Sequence, residues 1–314
     1  MSKVIKLKKG LDIKLKGEAE NLVKSIEKCD FYAVKPTDFR LLTPKLAVKA
    51  GDQVKAGDVL FINKYRPEGK FTSPFIGTVE AVVVKADAQS QYKDFGAADV
   101  NKLSREEIIE KLLDSGVWPM IKQRPYDIIA NPADMPKAIF VSGFDSAPLA
   151  PDFDITLTDE LAALQSGIDC LNKLGGKNVN LNLKEGTPSS SVFPKMKHVE
   201  VTYFVWVVNA MDLAIIGRLF ISGKFDARKT IALVGSEVEK PAYYKTILGA
   251  NIGCIVNGKL KNQVHQRIIS GNVLTGYKVS EENYLGYYNN MVTVIPEGDH
   301  YEFLGWAAPG FNKF

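Results

Sequence analysis

Cysteine is scarce in these 314 residues: there are three, Cys29, Cys170 and Cys254, far apart and never paired as C-x-x-C. That spacing writes no zinc or iron–sulfur site, and it leaves free, mostly buried thiols in a reducing compartment as the expectation. Histidine is equally rare. His198, His265 and His300 stand alone, with no H-E-x-x-H and no neighbour that would make a nucleophile–base pair. No G-x-G-x-x-G and no P-loop occurs. Charge of one sign is not in excess: the net charge is +4, scattered along the chain, which is no nucleic-acid footprint. Lysines are interleaved with acids apart from short runs such as Lys6 to Lys9, so strong adsorption to anionic lipid is not expected either. The first ten residues have no continuous apolar stretch, so no signal peptide is expected.

Long hydrophobic runs are missing, with one near-exception. Tyr203 to Ile221 is apolar enough to suggest a membrane span, yet it holds Asn209, Asp212 and Arg218. Asp or Arg near a helix centre costs about 2.5–3.5 kcal/mol each on insertion. The better parse is a strand, Val201 to Val208, followed by a helix. Asn209 is then the N-cap, and Asp212 sits in the first turn, where the helix dipole favours a carboxylate. Met211, Ile215, Leu219 and Phe220 form the buried stripe, and Gly223 ends the helix.

What is present is an ordinary globular composition, 46% hydrophobic and 24% charged, long enough for two or three domains. Within residues 4–16, Leu11, Ile13 and Leu15 alternate with Asp12, Lys14 and Lys16, the pattern of a half-buried strand. Gly51 to Val84 is the strongest stretch. Gly51-Asp52 and Gly57-Asp58 mark tight turns, Pro74 and Gly77 bound another, and short β-type runs lie between them. The pattern resembles the barrel-sandwich hybrid of biotinyl and lipoyl domains. Its tip, Asn63 to Lys70, carries neither Met-Lys-Met nor Asp-Lys-Ala. Lys64 and Lys70 are therefore expected to be solvated loop lysines, with no exposed swinging-arm hairpin.

Ser104-x-x-Glu107 is a capping box ahead of Ile108, Ile109, Leu112 and Leu113, with Gly116 as the stop. Residues 117–136 hold four prolines and read as an irregular connector. Lys137 to Ser142 is a strand. Thr158 is placed to cap a helix with the stripe Leu161, Leu164, Ile168, Leu171 and Leu174, ended by Gly175-Gly176. Asn178 to Leu183 alternates as a strand. Strand–helix–strand at this spacing predicts a parallel, Rossmann-like sheet. Turn-rich strands from Lys229 to about Gly276 suggest a β-grasp module. The expected fold is mixed α/β in three parts: 1–100 with a sandwich core at 46–85, 101–227, and 228–314.

In open α/β sheets ligands bind beyond the carboxyl ends of strands. Ser142, Gly143, Phe144, Asp145 and Ser146 occupy that place and form the candidate site. Phe144 and Asp145 read first as a core residue and a turn former; a flat apolar ligand such as a quinone is the functional alternative. Lys184 to Ser191 is expected to be an exposed loop.

The order sandwich, α/β unit, β-grasp resembles the flavin-binding subunit of respiratory complex I and its Rnf-type relatives. It is more similar still to the NqrA family of the Na⁺-translocating NADH:quinone oxidoreductase. The stretches that carry this are Ile5 to Ile13, Val48 to Gly57, Phe193 to Lys197, Ile215 to Phe220, Gly223 to Ala227, Thr230 to Leu233 and Gly235 to Val238. The resemblance implies a peripheral subunit on the cytoplasmic side of the bacterial inner membrane, in a six-subunit membrane complex that reduces ubiquinone and exports Na⁺. It implies quinone binding, with flavins and iron–sulfur centres held by other subunits and no flavin, cluster or metal here. No nucleic acid and no direct membrane span is implied. Family members carry a segment between His198-Val-Glu-Val201 and Val205-Trp-Val207 that is missing here, and they continue past Phe314. The alternatives are a biotinyl- or lipoyl-like carrier protein, a soluble nucleotide-dependent enzyme, and an electron-transport subunit of the Rnf type.

Overall fold

The computed structural model describes residues 13–26, 29–74, 77–80, 82–86, 91–177, 179–183, 191–197, 199–200, 206–261 and 264–299. Eight strands come first: β1 (Glu20–Ser25), β2 (Phe31–Ala33), β3 (Pro44–Leu46), β4 (Gln53–Val54), β5 (Val59–Asn63), β6 (Lys70–Thr72), β7 (Gly77–Glu80) and β8 (Val83–Ala86). Then follow α1 (Arg105–Ser115), β9 (Lys122–Gln123), β10 (Ile128–Ile129), β11 (Ile139–Ser142), α2 (Phe153–Thr156), α3 (Leu161–Gly175), β12 (Val179–Asn182), β13 (Val199–Glu200), β14 (Trp206–Asn209) and α4 (Ala210–Ser222). The last are β15 (Arg228–Val234), β16 (Ala242–Ile247), α5 (Ile252–Val256), β17 (Gln266–Ser270), β18 (Tyr277–Val279) and β19 (Met291–Pro296).

Short apolar runs between glycine turns build two small antiparallel sheets, β2-β8-β7-β4 and β3-β5-β6. Their buried sides share one core around Phe61, stacked on Phe71 at 4.7 Å, with Phe39 4.6 Å from Phe71. This is the sandwich expected of Gly51 to Val84. Gly51 takes φ +92°, the turn conformation its place requires. Two expectations for the tip are corrected. β5 and β6 form a hairpin whose turn, residues 64–68, is exposed throughout. Lys70 is the first residue of β6 and ion-pairs with Asp114 of α1, so it is no solvated loop lysine; Lys64 is exposed as expected. The cause is docking: Thr72 Oγ1 donates to the Ser115 carbonyl at 2.8 Å, at the end of α1.

The capping box forms as read. Ser104 Oγ accepts from Glu107 N at 3.2 Å, the Glu107 carboxylate accepts from Ser104 N at 2.7 Å, and Gly116 closes α1 at φ +73°. The stretch 117–136 is less irregular than expected. β9 pairs with β10 and with β14, and extends the central sheet, β10-β9-β14-β11-β12-β13. The four prolines flank these strands and interrupt neither, which is why two ladders survive. β14, β11, β12 and β13 run parallel, as the strand–helix–strand reading required.

Thr158 does not cap α3. Residues 153–156 make their own short helix, capped by Asp152, and Thr158 Oγ1 donates to the Asp154 and Ile155 carbonyls at 2.6 and 3.1 Å. α3 therefore begins at Leu161, which is exposed, while Leu164, Ile168, Leu171 and Leu174 are buried. α4 starts where expected, with Asn209 Oδ1 accepting from Met211 N at 2.9 Å, and stops at Gly223. The expected stripe is too narrow: Leu213, Ala214 and Ile216 are buried as well, because α4 packs against α3 and also against β11 and β14 of the central sheet. Among the described residues no helix is long and apolar enough to cross a membrane.

The third sheet runs β1-β16-β15-β19-β17-β18 and continues past Gly276 to Pro296. Its edge comes from far upstream. β1 lies parallel to β16, with Val23 opposite Tyr243 and Lys24 opposite Tyr244. Residues 13–16 form no strand, and the remainder of the strand expected within 4–16 lies outside the described residues. Cys29 and Cys254 are joined in a disulfide, which corrects the expectation of three free thiols. The cause is β1: its pairing with β16 brings Cys29 to α5, leaving the two Cα atoms 5.8 Å apart, within bridging range. Cys170 alone stays free and buried, and burial pushes its thiol pKa up.

Candidate functional site

Ser142 and Asn209 end neighbouring parallel strands and stand opposite each other in register. Beyond them a cleft of about 480 Å³ opens between the central and third sheets. Each wall comes from a different part of the chain. Ser142, Phe144, Asp145 and Ser146 come from the loop after β11, and Asn209 and Asp212 from the start of α4. Lys122, Arg124 and Asp127 come from β9 and the turn after it, and Asn272, Tyr288 and Asn290 from the third sheet and its loops.

Four of the five residues singled out from the sequence line this cleft. Gly143 does not. It packs inward, its N–H bonded to Asn182 O at 2.9 Å, and a Cβ there would press on the Leu183 side chain at 2.9 Å. Phe144 is 37% exposed, so it is not the core residue of the simpler reading. Asp145 does serve its turn: Oδ1 accepts from Ala147 N at 2.9 Å.

The floor is polar and buried. Lys229 of β15 ion-pairs with Asp212 Oδ1 at 3.0 Å, and donates to the Tyr287 carbonyl at 3.1 Å and to Asn290 Oδ1 at 3.3 Å. Asn290 Nδ2 in turn donates to Asn209 Oδ1 at 3.2 Å. The cap of α4 is thereby tied to the third sheet. At the rim, Asp127 draws in Lys122 at 3.3 Å and Arg124 at 3.7 Å. The Lys122 ammonium stands 3.6 Å from the Tyr288 ring centroid, a cation–π contact. Tyr288 donates its hydroxyl to the Pro119 carbonyl at 2.7 Å. Burial, followed by the charges of Tyr287, Asp212, Asp127 and Asp38, pushes its pKa well above the ordinary tyrosine value, so it stays protonated.

The sequence did not reveal Lys122, Asp127, Tyr288, Asn290 or the Asp212–Lys229 pair. One signal was available: Lys229 sits inside the β-branched run of β15 at an inward position, where a lysine needs a partner. His265 is exposed beside Asp299, Nδ1 to Oδ2 2.7 Å, and takes no part in the cleft. His198, His300 and residues 184–190 lie outside the described residues. Among the described residues no group of His, Cys, Asp and Glu is placed to hold a metal ion.

Three domain families match this chain in order: the NqrA N-terminal barrel-sandwich hybrid domain over residues 5–86, the NqrA second alpha/beta domain over 103–204, and the NQRA C-terminal domain over 230–281. The NqrA subunit of the Na(+)-translocating NADH-quinone reductase of Photorhabdus laumondii is 32% identical, the match covering 99% of this chain and 77% of that one. The chain belongs to the NqrA family. The NqrA of Pasteurella multocida is 30% identical over 99% of this chain and 78% of its own length. That of Yersinia pestis is 32% identical, with 99% and 77% covered. The Photorhabdus alignment spans 351 positions against the 314 residues here, so the NqrA relative carries residues with no counterpart in this chain. A solved NAD+-reducing [NiFe]-hydrogenase superposes on 67% of this chain and 52% of its own, at 12% identity and a TM-score of 0.39, too loosely to bear on the fold. In NqrA terms the cleft lies between the second alpha/beta domain, which holds Phe144, and the C-terminal domain, which holds Asn272.

Proposed function

We propose that this chain is the peripheral NqrA component of a sodium-pumping NADH:ubiquinone oxidoreductase, supporting ubiquinone reduction coupled to Na⁺ export. The observation that carries the reading is the succession of three NqrA domain families along a chain aligned over 99% of its length with a named NqrA protein. Its partners are then the other subunits of a six-subunit complex, on the cytoplasmic side of the bacterial inner membrane. Its three parts are then a sandwich domain over 1–100 that lends β1 to the third sheet, a Rossmann-like domain over 101–227, and a β-grasp module over 228–314. The parallel strands β14-β11-β12-β13 with α3 between two of them support the second of these.

Quinone is placed in the cleft beyond Ser142. What supports this is the chemistry of the lining. Phe144 offers a partly exposed ring for a flat ligand, and Met120, Val207 and Met291 add apolar wall. Lys122 and Ser142 are donors for quinone carbonyls, and Lys122 would also favour the anionic forms met on reduction. No flavin or iron–sulfur cluster is assigned to this chain, since it has neither paired cysteines of the C-x-x-C kind nor a glycine-rich phosphate loop.

The test is photolabelling of the purified chain with a photoreactive quinone analogue, alongside the double variant Phe144→Ala, Asp145→Ala. Labelling within 142–146 and about tenfold weaker analogue binding are expected, the factor that about 1.4 kcal/mol corresponds to. Unchanged affinity removes the cleft as the site. Failure of the chain to assemble with the membrane subunits removes the reading of it as part of that complex.

A further inference from the structure

A second edge of the molecule carries features that the cleft leaves unused. Lys64 N donates to Thr43 O at 2.8 Å, and Arg40 Nε stands 4.0 Å from Asp127 Oδ2. The loop 40–43, the hairpin turn 63–69 and the turn 124–127 therefore share one edge. Between them lies a pocket of about 190 Å³, walled by Leu42, Phe71, Leu113, Trp118, Pro119 and Ile129. It is smaller than the roughly 300 Å³ of ordinary small-molecule sites, and suits a chain of methylenes better than a ring ligand.

Leu41 at its mouth is 85% exposed and holds φ +58°. Both features are unfavourable: the side chain forgoes the core, and a left-handed backbone is strained for a non-glycine residue. Tyr65 is 75% exposed and Tyr126 70%. Such apolar groups gathered at one edge mark a contact surface. Around them stand the exposed cations Arg40, Lys45, Lys64 and Arg66. Glu68 is the acid of the hairpin turn, and Asp127 is already engaged by Lys122, Arg124 and Arg40.

We propose that this edge docks on an anionic lipid surface. Leu41, Tyr65 and Tyr126 enter the interface, an acyl segment reaches the pocket, and Arg40, Lys64 and Arg66 meet headgroup phosphates. An apolar hole ringed by cations complements a molecule with an apolar tail and an anionic head. Tyrosine suits the interface because its ring is apolar and its hydroxyl stays wet. Guanidinium groups suit phosphate through paired donors. This reverses the expectation from the sequence, where the same residues are interleaved charges in three separate stretches; the fold brings them to one edge. It holds whether or not the cleft takes quinone.

The experiment is co-sedimentation of the full chain with phosphatidylcholine vesicles, with and without phosphatidylglycerol. Three exposed pairs are compared: Leu41→Ser with Tyr65→Ser, Arg40→Gln with Arg66→Gln, and the distant control Lys240→Gln with Lys245→Gln. Binding is expected to the phosphatidylglycerol vesicles, to fall with salt, and to weaken about fivefold for each arginine removed, the factor for about 1 kcal/mol per basic residue near an anionic surface. The Leu/Tyr pair should weaken it as clearly, and the control pair little; unchanged melting temperatures show that the variants fold. The proposal is overturned if the wild-type chain stays in the supernatant, or if the control pair loses as much binding as the arginine pair. It is also overturned if the edge variants bind vesicles normally but fail to assemble with the membrane subunits, since a protein then covers this edge.

Discussion

Asp212 and Lys229 face each other across the seam between α4 and β15, 3.0 Å apart and with side chains 3% and 1% exposed. A pair so deeply buried contributes less as an attraction than it costs when half of it is removed. Lys229→Met leaves the Asp212 carboxyl buried without its cation, and Asp212→Asn leaves an ammonium with only neutral acceptors. Each single change should lower unfolding stability by about 3–5 kcal/mol in denaturant titration. The double variant should lose less than the sum of the two. Additive losses would show that the residues act separately.

Two glycines should respond differently to gaining a methyl group. Gly51 holds φ +92° with nothing within 4 Å of an added Cβ, so Gly51→Ala meets only backbone strain, about 1–3 kcal/mol. Gly217 has helical backbone, but an added Cβ would run into the Ala163 carbonyl of the crossing helix. Gly217→Ala should therefore cost more than Gly51→Ala, because α3 and α4 must separate. Thermal melting of the two variants checks the order.

The capping box gives a smaller, local prediction. Ser104→Ala removes the acceptor for Glu107 N and should cost about 1 kcal/mol. Ser104→Gly should cost only a few tenths. Equal losses would mean that the helix start is held by its docking against the sandwich.

Acid should loosen the end of the third sheet. Hydrogen bonds from Arg267 and then Lys278 hold the Glu297 carboxyl down at about 2, against an ordinary 4.5. A depressed pKa means that the stabilisation is complete above the unfolded value and is lost as pH falls from about 4.5 towards 2. The melting-temperature gap between wild type and Glu297→Gln should thus be widest above pH 4.5 and close towards pH 2. A gap that stays constant would remove Glu297 as the titrating group.

The starts of α1 and α4, the helix stops and the parallel pairing of β11 with β12 were legible because they depend on neighbours in sequence: Ser104 with Glu107, Asn209 with Met211, glycines at the stops. The start of α3 was not, because Thr158 is taken up by the short helix before it. The sandwich was legible from its turns. What could not be read depends on partners far along the chain. β1 meets β16 across more than two hundred residues, and its pairing is what brings Cys29 to Cys254. Nothing in either segment names the other. The cleft was half legible for the same reason: the loop after β11 follows from topology, whereas Lys122, Tyr288 and Asn290 arrive from elements whose placement no local pattern encodes.

The disulfide can be checked directly. Intact mass under non-reducing conditions should be lower by two hydrogens than after reduction. Replacing both cysteines by serine should cost about 2–4 kcal/mol, since the bridge closes a very long loop in the unfolded chain.

The parallel ladder between β1 and β16 also sets an order of assembly. Residues 20–25 leave the ribosome long before residues 242–247 exist. The intervening sandwich and central sheet can close while this strand waits without its partner, its backbone groups bonded to water. Completion of the third sheet is thus a late, long-range event, slow by its contact separation and exposed to stray strand pairing until it finishes. A synthesis pause before β16 prolongs that exposed interval, and a chain cut short of β16 never ends it.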